Sequence, residues 1–338
     1  EVGMARPART MRGKRVLVTG ACGFIGSHLV EALVARGDEV VCLVRDGRPG
    51  WLEGLPSVAV VPGDVTDPDA LQRCVDGVDR VFHLAGLTTA RAPAEFFRVN
   101  VEGTANLVRA CSVVKATPRR LVYLSSLAAV GPSPDRVPRG ETVIPRPVSP
   151  YGWSKLHGET EVLRVRDRLG VVILRPPVVY GPRDRGLWVY ARWVRRGVVP
   201  MPSGPPRALS LCAVEDLVRA LLAAAEVDVP SGEVYHVAGE GAFTWEEVGR
   251  AFGAAMGRRA RPLRLPVPLV LGLAAGAEVW GRLCGRATLL SRGKVREALG
   301  HWVCDTGKAR RYLAFLPRVG LEEGVALTVQ WYLSRGWL

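Results

Sequence analysis

A tyrosine and a lysine four positions apart, Tyr151 and Lys155, follow directly on Ser149 and Pro150. Serine caps a helix N-terminus and proline presets its first turn, so the pair is expected on one face of a helix. A phenol held near an ammonium has its phenolate stabilised. The spacing therefore predicts a Tyr151 pKa falling from about 10 toward the range of a general acid or base. Ser126 follows an apolar run at 121–124 and offers a hydroxyl that can donate to a substrate carbonyl. Together the three could move a proton at a carbonyl or carbinol oxygen. Taken alone, a tyrosine and lysine at this spacing are commonplace on helix surfaces, so their meaning depends on the elements that carry them.

Those elements begin near the start of the chain, where a β-branched run at 16–19 meets Gly20, Gly23 and Gly26 and then an amphipathic pattern. This reads as a strand, a tight turn and a helix over 24–35 stopped by Gly37. Gly20 can take the positive φ of a sharp turn, Gly23 has no Cβ to hold a pyrophosphate away, and Gly26 lets helix and strand pack closely. The free N–H groups of the helix would face phosphate. A second strand at 39–44 ends on Arg45 and Asp46, with Arg48 close behind. An arginine there accommodates a 2′-phosphate, so NADP(H) is expected over NAD(H), with Asp46 still able to take ribose hydroxyls.

A third strand at 58–61 leads to Asp64, which could accept from an adenine amino group or cap the helix begun by Thr66 and Asp67. A fourth at 78–84 runs into the small residues Ala85 and Gly86, where a cofactor can approach the backbone. Asn100, within FFRVNVEGTANLV, is a polar amide among apolar neighbours and needs buried partners, structural or cofactor-directed. Ser125 and Ser126 close the strand at 121–124, at the strand end where open α/β sheets bind ligands. The proline-rich and charged stretch 132–147 reads as a mobile flap.

Composition narrows the classes. The chain has 338 residues and a net charge of +14 carried mostly by arginine. The arginines are spread and interleaved with acids, which argues for a solvated surface and against nucleic acid. Seven cysteines without CxxC spacing suggest a reducing, cytoplasmic setting, and neither they nor the five scattered histidines predict a metal site. Residues 1–13 carry three arginines and no apolar core, which is unlike a secretory signal. The longest apolar run, 265–277, is broken by two prolines and falls short of the ~20 residues of a span. Flanked by Arg258, Arg259, Arg261 and Arg264, the stretch 266–283 could instead rest against a membrane surface and draw a lipid-like substrate from it.

In order along the chain stand TGACGFIG (19–26), DVTD (64–67), HLAG (83–86), Asn100 of VNVEGT, the pair Ser125 and Ser126, YGWSK (151–155) with Glu159, LRPPVVYGPRD (174–184), VEDL (214–217) and YHVAGEGAFTWEE (235–247). With these motifs the chain resembles an extended short-chain dehydrogenase/reductase, the superfamily of sugar-nucleotide epimerases, dihydroflavonol reductases and 3β-hydroxysteroid dehydrogenases. The resemblance spans nearly the whole chain. It implies a doubly wound parallel α/β sheet of Rossmann type over 11–180. A smaller substrate-binding lobe would occupy 181–338 and return one strand, 234–237, to the sheet. It implies a catalytic set of Ser126, Tyr151 and Lys155. It also implies cofactor contacts at Gly20, Gly23, Phe24, Ile25, Arg45, Asp64, Val65, Leu84, Ala85, Gly86, Asn100, Tyr151, Lys155, Pro176 and Val179, and a homodimer through the helices after Val99 and Pro150.

Departures from the superfamily pattern point to a branch. Leu127 and Ala128 stand where dehydratases carry an acidic pair, which disfavours dehydration. Sugar-nucleotide enzymes place a diphosphate-binding arginine seven residues before the second acid of their VDDL, and here that position is Leu209, with Arg207 displaced by two. YLSSLAAVGP (123–132) and the tail segments at 266–283, 290–292 and 302–317 resemble 3β-hydroxysteroid dehydrogenases and their sterol-acting relatives. Apolar surface at 188–193 and 266–283 could line the substrate site. The expectation is an oxidoreductase exchanging hydride between NADP(H), or NAD(H), and a secondary alcohol or ketone on a fairly apolar small molecule. The alternatives are a nucleotide-sugar epimerase with tightly kept NAD and a non-catalytic dinucleotide sensor.

Overall fold

The structure, a computed structural model, describes residues 13–338. Most of the expected N-terminal tail, and Met11 with it, lies outside the described residues. The chain begins β1 (Arg15–Thr19), α1 (Phe24–Ala35), β2 (Glu39–Val44), β3 (Val58–Pro62), α2 (Pro68–Val75) and β4 (Arg80–His83). It continues through α3 (Pro93–Phe97), a π-helical turn (Arg98–Glu102), α4 (Gly103–Val113), β5 (Arg120–Leu124), α5 (Pro150–Leu163), β6 (Gly170–Arg175) and β7 (Val178–Tyr180). Then come α6 (Arg185–Arg195), β8 (Val198–Pro202), β9 (Ala208–Leu209), β10 (Leu211–Ala213), α7 (Val214–Glu226), β11 (Glu233–His236), β12 (Phe243–Thr244) and α8 (Trp245–Ala255). The last elements are β13 (Arg261–Leu265), α9 (Val267–Leu283), α10 (Arg292–Ala298), α11 (Gly307–Tyr312) and α12 (Leu321–Ser334).

Seven parallel strands form the central sheet in the order β11-β6-β5-β4-β1-β2-β3. Side chains alternate across a strand, so the near-continuous apolar run of β1 feeds two cores at once. Val16 and Val18 pack with Leu29 of α1 and Leu217 and Leu221 of α7 on one face. Leu17 packs with Leu71 of α2, Leu107 of α4 and Val162 of α5 on the other. A third core joins α6, α8 and α12 through Val194, Phe252, Val329 and Tyr332. The order reverses between β1 and β4, so the carboxyl ends of these two strands flank the crevice where a doubly wound sheet receives its ligand.

Two expectations need correction. β4 is shorter than 78–84, because the Val78 N–H closes a turn onto Val75 and the Asp79 carboxylate accepts from the Arg15 N–H. The stretch 132–147 is not a free flap. The Ser133 N–H donates to the His301 carbonyl at 2.7 Å, Arg139 N–H to Val303 at 3.0 Å, and Asp305 N–H returns to Arg139 at 2.9 Å. Backbone groups that would otherwise face water are thus paired with 301–305, which anchors the segment.

Candidate active site

Gly20 has φ +73°, and a Cβ there would lie 2.7 Å from the Ala85 nitrogen and 2.8 Å from the Leu84 carbonyl carbon. Only glycine satisfies both the turn and this approach of β1 to the end of β4. A Cβ on Gly26 would collide with the Gly20 carbonyl oxygen, which is why α1 can start so close to the strand. Gly23 is the N-cap of α1 and supplies no capping side chain. The first N–H groups of the helix, those of the half-buried Phe24 and Ile25 among them, are left for an anion.

Behind the turn, one chain of hydrogen bonds settles the tautomer of a buried histidine. Thr104 Oγ1 donates to the Asn100 carbonyl at 2.7 Å, so it accepts from His83 Nε2 at 2.9 Å. His83 Nδ1 is then the acceptor for Thr19 Oγ1 at 2.6 Å, and Thr19 Oγ1 in turn accepts from the Ala85 N–H at 3.2 Å. Burial, reinforced by the Lys155 charge, lowers the His83 pKa to about 3 and keeps the ring neutral. His83 is therefore a strut between β1, β4 and α4.

Asn100 sits at the centre of the π-helical turn and is fully engaged. Its Oδ1 accepts from the Leu87 N–H at 2.7 Å, and its Nδ2 donates to the Leu87 carbonyl at 3.0 Å and to Ser154 Oγ at 2.8 Å. It ties the loop after β4 to α5. Gly86 keeps the adjoining space open, since a Cβ there would stand 3.1 Å from Asn100 Oδ1 and 3.8 Å from Lys155 Nζ. Asp64 Oδ1 is used by the Thr66 N–H and hydroxyl, while Asp67, not Asp64, caps α2. Val65 is buried beside it. Arg45 is exposed at the end of β2, and Asp46 accepts from the Arg48 N–H at 3.2 Å. Pro176 is buried with its carbonyl accepting from the Leu127 N–H at 2.8 Å, and Val179 is half-buried in β7.

The expected catalytic trio converges only in part. Ser149 caps α5 through the Gly152 N–H at 3.0 Å, which puts Tyr151 on the first turn, near enough to Ser126 for that hydroxyl to favour the phenolate. The Lys155 Nζ donates to the Leu124 carbonyl at 2.6 Å and stands 4.4 Å from the Tyr123 ring centroid. The ammonium over Tyr151 belongs to Lys294 of α10, with Nζ 4.9 Å from the ring centroid. Burial lifts the Tyr151 pKa above its ordinary value, against the pull of Lys294 and Ser126 and with the help of Glu297. This corrects the expectation of a phenol acidified by Lys155. Burial also lowers the pKa of Lys155 to about 7, opposed by Glu159. Lys294 is different: burial disfavours its charge, yet Glu297 at 3.0 Å and Tyr151 outweigh that and leave its pKa raised.

Two groups escaped the reading of the sequence. One is the α10 pair Lys294 and Glu297, whose only signal was a serine N-cap, Ser291, ahead of an i, i+3 charge pair. The other is a buried ion pair in which Arg175 donates to Glu159 from Nε at 2.8 Å and Nη2 at 2.6 Å, while Ser125 Oγ donates to the same carboxylate. It locks β5, β6 and α5 together beneath Lys155.

Above Tyr151 opens a cavity of about 250 Å³ bounded by Thr88, Thr89, Phe96, Glu278, Arg282 and Lys294. Its lining is largely apolar, with Glu278, Arg282 and Lys294 among its charged members. Segment 188–193 takes no part, because Trp188 packs edge-on to Trp337 and donates to the Trp337 carbonyl at 2.7 Å within the third core. Arg207 is also spent elsewhere, donating to the Leu299 carbonyl at 2.7 Å and to the Pro205 carbonyl. Among the described residues no group of three or more His, Cys, Asp or Glu side chains is placed to hold a metal, and no helix is long and apolar enough to cross a membrane.

The glycine turn, the uncapped start of α1 and the gap kept by Gly86 fit a dinucleotide across the β1/β4 crevice. Comparison with known proteins agrees. Residues 16–238 match the NAD dependent epimerase/dehydratase family. A ceramide reductase of Caulobacter vibrioides is 34% identical over 327 residues, covering 96% of both chains. A 3 beta-hydroxysteroid dehydrogenase/Delta 5-->4-isomerase of Mycobacterium tuberculosis is 29% identical over 348 residues, covering 95% of this chain and 90% of its own. The solved structure of MoeE5 in complex with UDP-glucuronic acid and NAD superposes with a TM-score of 0.75 at 30% identity, covering 96% of this chain and all of that one.

Proposed function

The chain belongs to the NAD-dependent epimerase/dehydratase family, and on that footing we propose that it reduces a ketone to a secondary alcohol, and reverses the reaction, on a lipid-like small molecule. The carrying observation is the half-buried Tyr151 phenol at the floor of a cavity, with Ser126 beside it and Lys294 over its ring. When bound, the nicotinamide supplies or takes the hydride. The chain's own part is the proton. Because burial raises the Tyr151 pKa, the phenol stays protonated at neutral pH and donates to the carbonyl oxygen as it becomes an alkoxide, while Ser126 donates a second hydrogen bond. In oxidation Tyr151 must first lose its proton, and the Lys294 ammonium stabilises that phenolate. Lys155, anchored on Leu124 beside the gap at Gly86, would hold the nicotinamide ribose.

The charged groups of Glu278, Arg282 and Lys294 suit a substrate with a polar end near the reacting carbon, and the apolar lining from Ala90, Ala92, Pro93 and Phe96 suits its hydrophobic remainder. Kinship with a ceramide reductase and a 3β-hydroxysteroid dehydrogenase supports a sterol-like or long-chain substrate over a flavonoid. NADP(H) is the preferred cofactor in this reading, supported by the exposed Arg45 at the β2 end and by the engagement of the Asp46 carboxylate with its own turn. We place the protein in the reducing cytoplasm as a homodimer, a reading supported by seven free cysteines and by exposed Val113 and Trp153 on α4 and α5.

A nucleotide-sugar epimerase is the second reading, favoured by the likeness to MoeE5 and opposed by the commitment of Arg207 to backbone carbonyls. One assay separates them. Oxidation of added NADPH by 3-ketosteroids or long-chain ketones, lost in Tyr151→Phe, supports the reductase. Interconversion of UDP-sugars by protein carrying its own NAD, with no such NADPH oxidation, would overturn it.

A further inference from the structure

Helix α9 is apolar nearly all round, yet among its seventeen residues only Ala274 and Gly281 are buried. A helix of that composition belongs in a protein core or in contact with lipid. Its outward face carries Leu269, Leu273, Val279, Trp280 and Leu283, half to three-quarters exposed, with Gly272 and Gly276 between them. These positions recur at i, i+4, i+7 and i+11 from Leu269, one continuous stripe along the helix. Past the end of the helix, Leu289 and Leu290 are also exposed, to 53% and 40%. An apolar surface of this extent is costly in water and marks a docking face.

Charge identifies what docks. Exposed Arg258, Arg259 and Arg261 precede the helix, and exposed Arg286 follows it. None of these four makes an ion pair among the described residues, whereas Arg264 and Arg292 are engaged by Glu246 and Glu278. The stripe itself bears no acid. An apolar face with tryptophan near one end and free cations at both ends complements an interface of acyl chains and anionic headgroups, and a protein partner of ordinary surface does not demand that arrangement. At seventeen residues, with Glu278 and Arg282 turned to the cavity, α9 is suited to lie in the bilayer surface and not to cross it.

We propose that α9 docks this protein on the surface of an anionic phospholipid bilayer. The same helix lines the cavity over Tyr151 with Glu278 and Arg282, so the docked enzyme has its cavity at the lipid boundary. The proposal stands apart from the redox reading, and its test measures binding alone.

The test is flotation of the full chain with phosphatidylcholine vesicles, with and without phosphatidylglycerol. Wild type is expected to float with the anionic vesicles at least about tenfold more than with neutral ones, less so as salt screens the arginines. Leu269→Glu combined with Trp280→Glu should abolish flotation with thermal midpoint and cofactor affinity unchanged. Arg258→Glu, Arg259→Glu and Arg261→Glu together, which leave α9 intact, should also reduce it, and this keeps the test decisive if the α9 variant misfolds. Wild type left at the bottom of the gradient, or both folded variants floating as well as wild type, would overturn the proposal. So would a dimer in sedimentation that the α9 variant dissolves without loss of lipid binding, which would assign the stripe to a second copy of the chain.

Discussion

Lys294 of α10 stands over the Tyr151 ring with its Nζ 4.9 Å from the centroid, while Lys155, one turn along the same helix as the phenol, is bonded to the Leu124 carbonyl instead. The electrostatics of the proton donor are therefore set from another element. Replacing Lys294 by Met removes the cation that pulls the phenol's pKa down, so the pH at which alcohol oxidation reaches its plateau is expected to move up. Glu297→Gln removes the opposing charge and should move it down. The pair of pH–rate profiles checks the assignment, and a common direction for both shifts would refute it.

Tyr151→Phe keeps the ring against Phe96, whose centroid lies 6.0 Å away, and deletes only the hydroxyl. Loss of a positioned proton donor is expected to lower kcat by about 10²–10⁴-fold. Cofactor affinity, measured by nicotinamide fluorescence, should be unchanged, because the glycine turn is untouched.

At Gly20, alanine would meet both a left-handed backbone at φ +73° and the Ala85 nitrogen at 2.7 Å. The strain alone costs of order 1–3 kcal/mol. Gly20→Ala is expected to lower the urea midpoint and to weaken dinucleotide binding in titration calorimetry, since any relief must widen the β1/β4 crevice.

The Glu159–Arg175 pair is buried on both sides, with side chains 3% and 6% exposed. Glu159→Gln strands a guanidinium and the Ser125 hydroxyl in the interior. Breaking one side of such a pair costs about 3–5 kcal/mol. Chemical denaturation should report a loss of that order, and a loss below about 1 kcal/mol would show that Arg175 finds another acceptor.

Lys155 makes stability depend on pH with a definite sign. Its pKa is about 7 in the fold against the ordinary 10.5 of a lysine in water, so between these values the unfolded chain binds more protons. Stability of the cofactor-free protein should thus rise with this lysine's contribution from pH 7 toward pH 10, and the cost is fully present below pH 7. The difference in urea midpoint between wild type and Lys155→Met, followed across that window, isolates the effect. A difference constant with pH would place the lysine's pKa near its ordinary value.

Much of this arrangement was legible before any coordinates. The bounds of α1 and the start of α5 follow from Gly23 and Gly37 and from Ser149 and Pro150, local signals that tertiary contacts did not override. Strands β1 to β5 are legible as apolar runs, whereas β6 (Gly170–Arg175) was not read from the sequence. What stayed hidden is non-local. Nothing near Lys155 in the chain discloses that the Leu124 carbonyl intercepts its ammonium, and nothing near Tyr151 discloses a cation arriving from position 294. Segment 132–147 looked mobile for the same reason, since its partners lie at 301–305. Trp188 looked like site lining because an aromatic stripe carries no mark of whether it meets a ligand or, as here, Trp337.

The lacing of 132–147 to 301–305, with α10 just before it, sets an order of events during synthesis. The glycine turn and six of the seven sheet strands precede β11 in the chain. The roof over the phenol, with its cation, comes from residues 278–297, after β11 in the chain. The electrostatics of the proton donor thereby wait on α10, and a chain cut short before Arg292 would lack the cation over the phenol.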